Sequence, residues 1–236
     1  MKCILRGFIR QRELNGMPFS EAEIRSMALQ VFQGLDFMHR QRGYMHRDLK
    51  PENLLVNERK EVKISDLGSA IEIDSRGNMF DHHVTTLCYE APEMLLETSY
   101  DEKVDMWAAG LILVDMFQMF PLYRGNDQLY MMRQVLGAPD CNSKIGRMVA
   151  EALVNKPERE EEKGGVGFRA ILPDASESAI DLIQSLCSWE PSKRPSAAEA
   201  LRHPFFKSAN NVAAAPAFSC CAVPKTTSLS YMQPIC

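Results

Sequence analysis

Eight consecutive residues constrain this chain more than any other stretch: His46-Arg47-Asp48-Leu49-Lys50-Pro51-Glu52-Asn53. They put two cations, two carboxylates, an imidazole and an amide between two elements that the flanking sequence defines. Upstream, Ser20 and Glu23 form a capping box, and Phe19 is placed to staple onto Ile24. Apolar residues then recur at Ile24, Met27, Ala28, Val31, Phe32, Leu35 and Met38, one face of a helix at 3.6 spacing. Basic residues and a glycine end that helix between Arg40 and Gly43. Downstream, Leu54–Val56 and Val62–Ile64 read as extended runs joined by a polar turn at 57–61, a hairpin. The charged octapeptide is therefore a loop held from both sides.

The rest of the chain reads as a mainly helical globule. Residues 66–93 show no period and are expected to form a long loop, which in a compact domain usually carries function. Helical segments follow at 103–119, 127–136, 176–188 and 196–202. The stretch 104–119 is the most apolar, but it is short for a membrane span and carries Asp105 and Asp115. It reads as a helix buried in protein. The acidic run 158–162 is read as a solvated loop, and residues 208–236, rich in Ala, Ser and Pro, as a disordered tail. No internal repeat is found.

Composition excludes several classes of function. With 45% hydrophobic and 25% charged residues in 236, the chain can bury a core without a metal or disulfide staple. A net charge of −4 argues against a nucleic-acid or polybasic membrane surface, so neither partner is expected. The seven cysteines are odd in number and form no CxxC pair, so reduced thiols in the cytoplasm or nucleus are expected. The first residues lack the apolar run of a secretory signal.

The octapeptide fits the pattern H-R-D-x-x-x-x-N, and its chemistry asks for these types at this spacing. An Asp accepts the proton of a substrate hydroxyl, an Asn holds a magnesium ion, and a cation offsets charge on a transferring phosphoryl group. Asp66-Leu67-Gly68 directly follows the second extended run, where a metal-binding D-F-G triplet would sit, with leucine as the apolar middle residue. Alone, such a triplet is more often a turn. Ala91-Pro92-Glu93 closes the long loop as an A-P-E signature does.

Together these motifs resemble the C-terminal lobe of a eukaryotic Ser/Thr protein kinase of the CMGC group, within it the male germ cell-associated kinase-like branch and its plant homologues. Phe19-Ser20-Glu21, Gln128-Leu129-Tyr130 with Val135-Leu136-Gly137-Ala138-Pro139, and Leu172-Pro173-Asp174-Ala175 through Pro204-Phe205-Phe206 support the narrower placement. The resemblance covers 15–140 and 171–207, with 141–170 unassigned. It implies a kinase-domain portion over residues 1–207, mainly α with a small β-hairpin, using ATP and magnesium on a protein substrate. It implies Asp48 as catalytic base, Lys50 on the γ-phosphate, Asn53 and Asp66 on magnesium, and Thr86 beside Asp48 and Lys50. It also implies that Asp105 fastens the backbone of the catalytic loop and that Glu93 pairs with Arg194.

Three features depart from the family. No residues before 15 can supply the Gly-rich loop, the strand lysine and the lobe that carries them. The N-lobe is thus expected to be missing, leaving an apolar surface through which the chain self-associates. Gly165-Val166-Gly167-Phe168-Arg169-Ala170 fits a G-x-G-x-x-[GA] string but follows an acidic loop, so it reads as a chance match. Asp81-His82-His83 replaces a phosphorylatable Thr-x-Tyr, and Glu90 replaces an arginine. Asp81 is then expected to act as a built-in anion for Arg47. Glu90 removes the basis for proline-directed specificity. A non-catalytic binding module is the competing expectation.

Overall fold

The helix expected after Ser20 is the first reference point of the structure, a computed structural model that describes residues 3–73, 87–123, 125, 127–156 and 164–207. Helix α2 (Glu21–Asp36) starts on the full capping box: Ser20 Oγ accepts from the Glu23 N–H, and Glu23 Oε2 accepts from the Ser20 N–H at 2.8 Å. Its stripe Ile24, Met27, Ala28, Val31, Phe32 and Leu35 is buried. The end differs from the sequence expectation. After Asp36 the chain widens into a π-helical turn, Phe37–Arg42, which closes on Gly43 in the left-handed region at φ 70°. Phe19 is buried edge-to-face against Phe8, with ring centroids 5.4 Å apart.

Before α2 the structure adds elements that the sequence reading missed. Strand β1 (Cys3–Ile4) leads into helix α1 (Leu5–Leu14), whose only buried residues are Leu5 and Ile9. Strands β3 (Leu54–Val56) and β4 (Val62–Ile64) form the expected hairpin, and β1 pairs antiparallel with β3 to extend it. Two shorter strands, β2 (Tyr44–Met45) and β5 (Ile71–Glu72), pair on either side of the octapeptide and hairpin. The long loop is partly structured where described, with a 3₁₀ turn at Leu67–Ser69 and another at Leu87–Tyr89. Helix α3 (Pro92–Leu95) begins on Pro92, which supplies the φ of a first helical position.

Helix α4 (Lys103–Gln118) is the axis of the molecule. Every residue from Val104 to Met116 is buried, as an all-round apolar helix requires. Around it pack α2, the 3₁₀ turns at Leu87–Tyr89 and Pro191–Lys193, and helix α8 (Glu177–Leu186). Helix α5 (Gln128–Leu136) and helix α6 (Lys144–Ala152) follow α4. Helix α6 lies within the stretch 141–170 that the sequence reading left unassigned, capped by Ser143 Oγ on the Gly146 N–H. The four-residue helices α7 (Phe168–Ile171), α9 (Ala197–Ala200) and α10 (Pro204–Lys207) complete the fold. Arg25 Nε donates to the Phe205 carbonyl at 2.7 Å, and Glu21 accepts from Ser176, so the two ends of the fold meet on α2. Among the described residues no helix is long and apolar enough to cross a membrane. The acidic run and the tail lie outside the described residues.

The glycine string at 165–170 is not a phosphate cradle. Gly165 and Gly167 have φ of 68° and 75°, and a Cβ on Gly165 would stand 2.2 Å from the Gly137 nitrogen. These glycines let the chain pass close to the end of α5, where the Val166 N–H donates to the Gln134 carbonyl. The chance-match reading stands.

Candidate active site

Asp105, in the first turn of α4, organises the octapeptide from below. Its carboxylate accepts from the His46 N–H at 2.7 Å, the Arg47 N–H at 2.9 Å and His39 Nε2 at 2.8 Å. Burial alone would push this carboxyl up. The bonds from His39 and the His46 N–H outweigh that and hold it below the usual range. With two successive N–H groups pinned, Arg47 takes the left-handed region at φ 68°, rare for a non-glycine residue. Its guanidinium is buried, donating to the Ser69 carbonyl at 2.6 Å and to Tyr100 Oη at 3.1 Å.

That fixed backbone presents three side chains at one point. Lys50 Nζ stands 2.8 Å from Asp48 Oδ2, and Asn53 Nδ2 donates to the same oxygen at 3.0 Å and to the Asp48 carbonyl at 2.8 Å. Asp48 and Lys50 are partly exposed while Asn53 is buried. Since the Asn53 amide nitrogen is engaged, its Oδ1 remains as the acceptor. Asp66 reaches the group through its neighbour: the Ser65 N–H and Oγ each donate to the Asn53 carbonyl at 2.9 Å. Asp66 itself is exposed, left-handed at φ 59°, and accepts from the Gly68 N–H.

The structure therefore brings Asp48, Lys50, Asn53 and Asp66 to one end of the hairpin. Thr86 and Asp81 lie outside the described residues, as do His82 and His83. Among the described residues no group of three or more His, Cys, Asp and Glu is arranged to hold a metal. What the site offers is one amide oxygen and one exposed carboxylate, a donor set suited to a hard cation that takes its other ligands from phosphate and water. Sequence reasoning missed His39, whose signal was a lone histidine near a helix end, and Tyr100, for which there was none.

A protein kinase domain model matches residues 3–206. The chain belongs to the protein kinase domain family. The match spans the first residues and the stretch 141–170, where the sequence showed no resemblance to the family pattern. Among similar proteins, Cyclin-dependent kinase F-3 of Oryza sativa subsp. japonica is 43% identical over 219 residues, covering 89% of this chain and 48% of the relative. Serine/threonine-protein kinase MAK of Homo sapiens is 38% identical over 194 residues, covering 80% and 30%. Serine/threonine-protein kinase ICK of Mus musculus is also 38% identical, over 202 residues. The kinase domain thus has CMGC-type Ser/Thr kinases as relatives, in line with a plant MAK-like branch. It spans about half or less of the length of these relatives. As a family, protein kinases use ATP and magnesium.

Proposed function

We propose that this protein acts as a Ser/Thr protein kinase, passing the γ-phosphoryl of ATP to a hydroxyl of a protein substrate. The observation that carries the reading is the convergence of Lys50 and Asn53 on a single oxygen of Asp48, at 2.8 and 3.0 Å. Asp48 is so oriented to accept a substrate hydroxyl proton, and Lys50 stands where a cation offsets charge on the transferring group. Asn53 Oδ1 and the Asp66 carboxylate would hold magnesium, which when bound neutralises charge on the phosphate oxygens. Thr86 belongs beside Asp48 and Lys50 in this reading. Glu90, buried at 9% exposure where the resemblance places arginine, favours a substrate rule other than proline-direction. The same glutamate, with Asp81-His82-His83 in place of Thr-x-Tyr, favours the non-catalytic reading, in which the chain occupies partners of a kinase without turnover.

Calorimetry of magnesium–ATP on the purified chain, beside Asp66→Ala, separates the two. The kinase reading expects binding that the substitution removes. A folded chain that binds no nucleotide supports the module instead. We expect little turnover from residues 1–236 alone, because positioning by two lobes supplies most of the rate in this chemistry.

A further inference from the structure

Asp115 has no part in the site above, yet it draws together three separate parts of the chain. It lies in the last turns of α4 with its side chain 1% exposed. Tyr89 Oη donates to Asp115 Oδ2 at 2.6 Å. Arg6 Nη2, from α1, donates to the same oxygen at 3.3 Å and to Tyr89 Oη. Arg6 Nε donates to Glu52 Oε1 at 3.0 Å, inside the octapeptide. The Leu122 N–H faces the carboxyl from the following loop, and Cys88 is the other titratable group nearby.

The charges in this cluster do not balance. One guanidinium serves two carboxylates, and burial raises the Tyr89 phenol, which stays neutral. Asp115 Oδ1 and Glu52 Oε2 are both buried without a hydrogen-bond donor. Glu52 has 38% of its side chain exposed against 1% for Asp115, so water screens the charge of the first carboxylate far better than that of the second. A proton is therefore cheapest on Asp115. Burial, only partly offset by Tyr89 and Arg6, moves that carboxyl up to about 7.

We propose that Arg6 is a positioning residue tying α1 to the octapeptide through Glu52 and to the end of the long loop through Tyr89, around an Asp115 carboxyl whose protonation sets how firmly the tie holds. Protonated, Asp115 leaves one cation to one anion. Ionised, it puts a second, undersolvated anion on the same cation, and the tie weakens. The folded carboxyl lies above its ordinary value, so its favourable contribution is complete in acid and disappears as pH rises through about 7. The consequence for phosphoryl transfer rests on the kinase reading, but the tie rests on distances in this chain alone and can be tested without turnover.

Hydrogen exchange on the chain at about pH 6 and about pH 8, corrected for the chemical rate, reads residues 52–53 and 87–90. One titration centred at about 7 weakens protection by about tenfold between those values. Wild type should show that loss in both segments, and Asp115→Asn should show none. Arg6→Met should loosen both segments at either pH, with Arg6→Lys restoring most of the protection. Equal pH dependence in wild type and Asp115→Asn would overturn the proposal, as would unchanged protection in Arg6→Met. Should Arg6→Met not fold, the comparison of wild type with Asp115→Asn decides alone.

Discussion

Asp105 shows how one side chain can fix a loop. Three donors meet a carboxylate that is 1% exposed, and two of them are consecutive backbone N–H groups of His46 and Arg47. Replacing it by Asn keeps the volume but turns an amide N–H toward groups that are themselves donors. Hydrogen bonds to a buried charge are worth about 1.5–3 kcal/mol each, so Asp105→Asn should cost about 3 kcal/mol or more at neutral pH. The carboxyl is held below its ordinary value, so its contribution is present above the unfolded value and is lost as pH falls through the folded one. Urea unfolding of both proteins near pH 7 and in acid checks this, and the gap between them should narrow in acid. A gap that did not depend on pH would mean that packing, not charge, makes the difference.

At the scale of elements, α4 meets α8 where Gly110 lies against Cys187. A Cβ at Gly110 would stand 2.7 Å from Cys187 Sγ and 2.9 Å from Leu186 Cβ, and both belong to a closed core. Overpacking of this kind costs about 1–3 kcal/mol, so Gly110→Ala should lower the thermal midpoint despite alanine's better helix propensity. Nothing in the sequence marks that contact. What the sequence did show was local: the capping box and stripe of α2, the two runs of the hairpin, the apolar length of α4. Helix α1 was hidden because its buried side is only Leu5 and Ile9, among Arg6, Arg10 and Arg12; the ion pair of Arg12 with Glu23 at 2.8 Å and the Phe8–Phe19 contact hold it down. Helix α6 did carry a signal, Ser143 as cap and Ile145, Val149 and Leu153 at fourfold spacing, which a departure from family pattern concealed. Of the candidate site residues, Asp48, Lys50, Asn53 and Asp66 lie close together in sequence and so were open to motif reading, whereas Arg6 and Asp115 are 109 apart.

Across the whole molecule, the pair expected between Glu93 and Arg194 joins the end of the long loop to the last quarter of the chain. Both side chains are 0% exposed, and the guanidinium meets the carboxylate through two bonds, 2.5 and 2.7 Å. Arg194 spends its other donors on the carbonyls of Ser188 at 2.8 Å, Lys103 at 3.1 Å and Trp189 at 3.3 Å. Its guanidinium also lies 5.0 Å from the ring centroid of Trp107 on α4. Lys103 Nζ returns a bond to the Arg194 carbonyl at 2.8 Å, so three distant segments share one buried knot. Desolvating the two ions offsets much of their attraction, and the pair adds little net stability over a well-packed apolar substitute. Removing one partner is another matter, because it strands the other charge where water cannot reach. Arg194→Met or Glu93→Leu should each cost about 3–5 kcal/mol. The double replacement should cost less than the sum of the two, since no ion is then left uncompensated. Chemical unfolding of the four proteins measures the coupling directly. Additive losses would mean that the carbonyl bonds of Arg194, rather than its pairing with Glu93, hold these segments together.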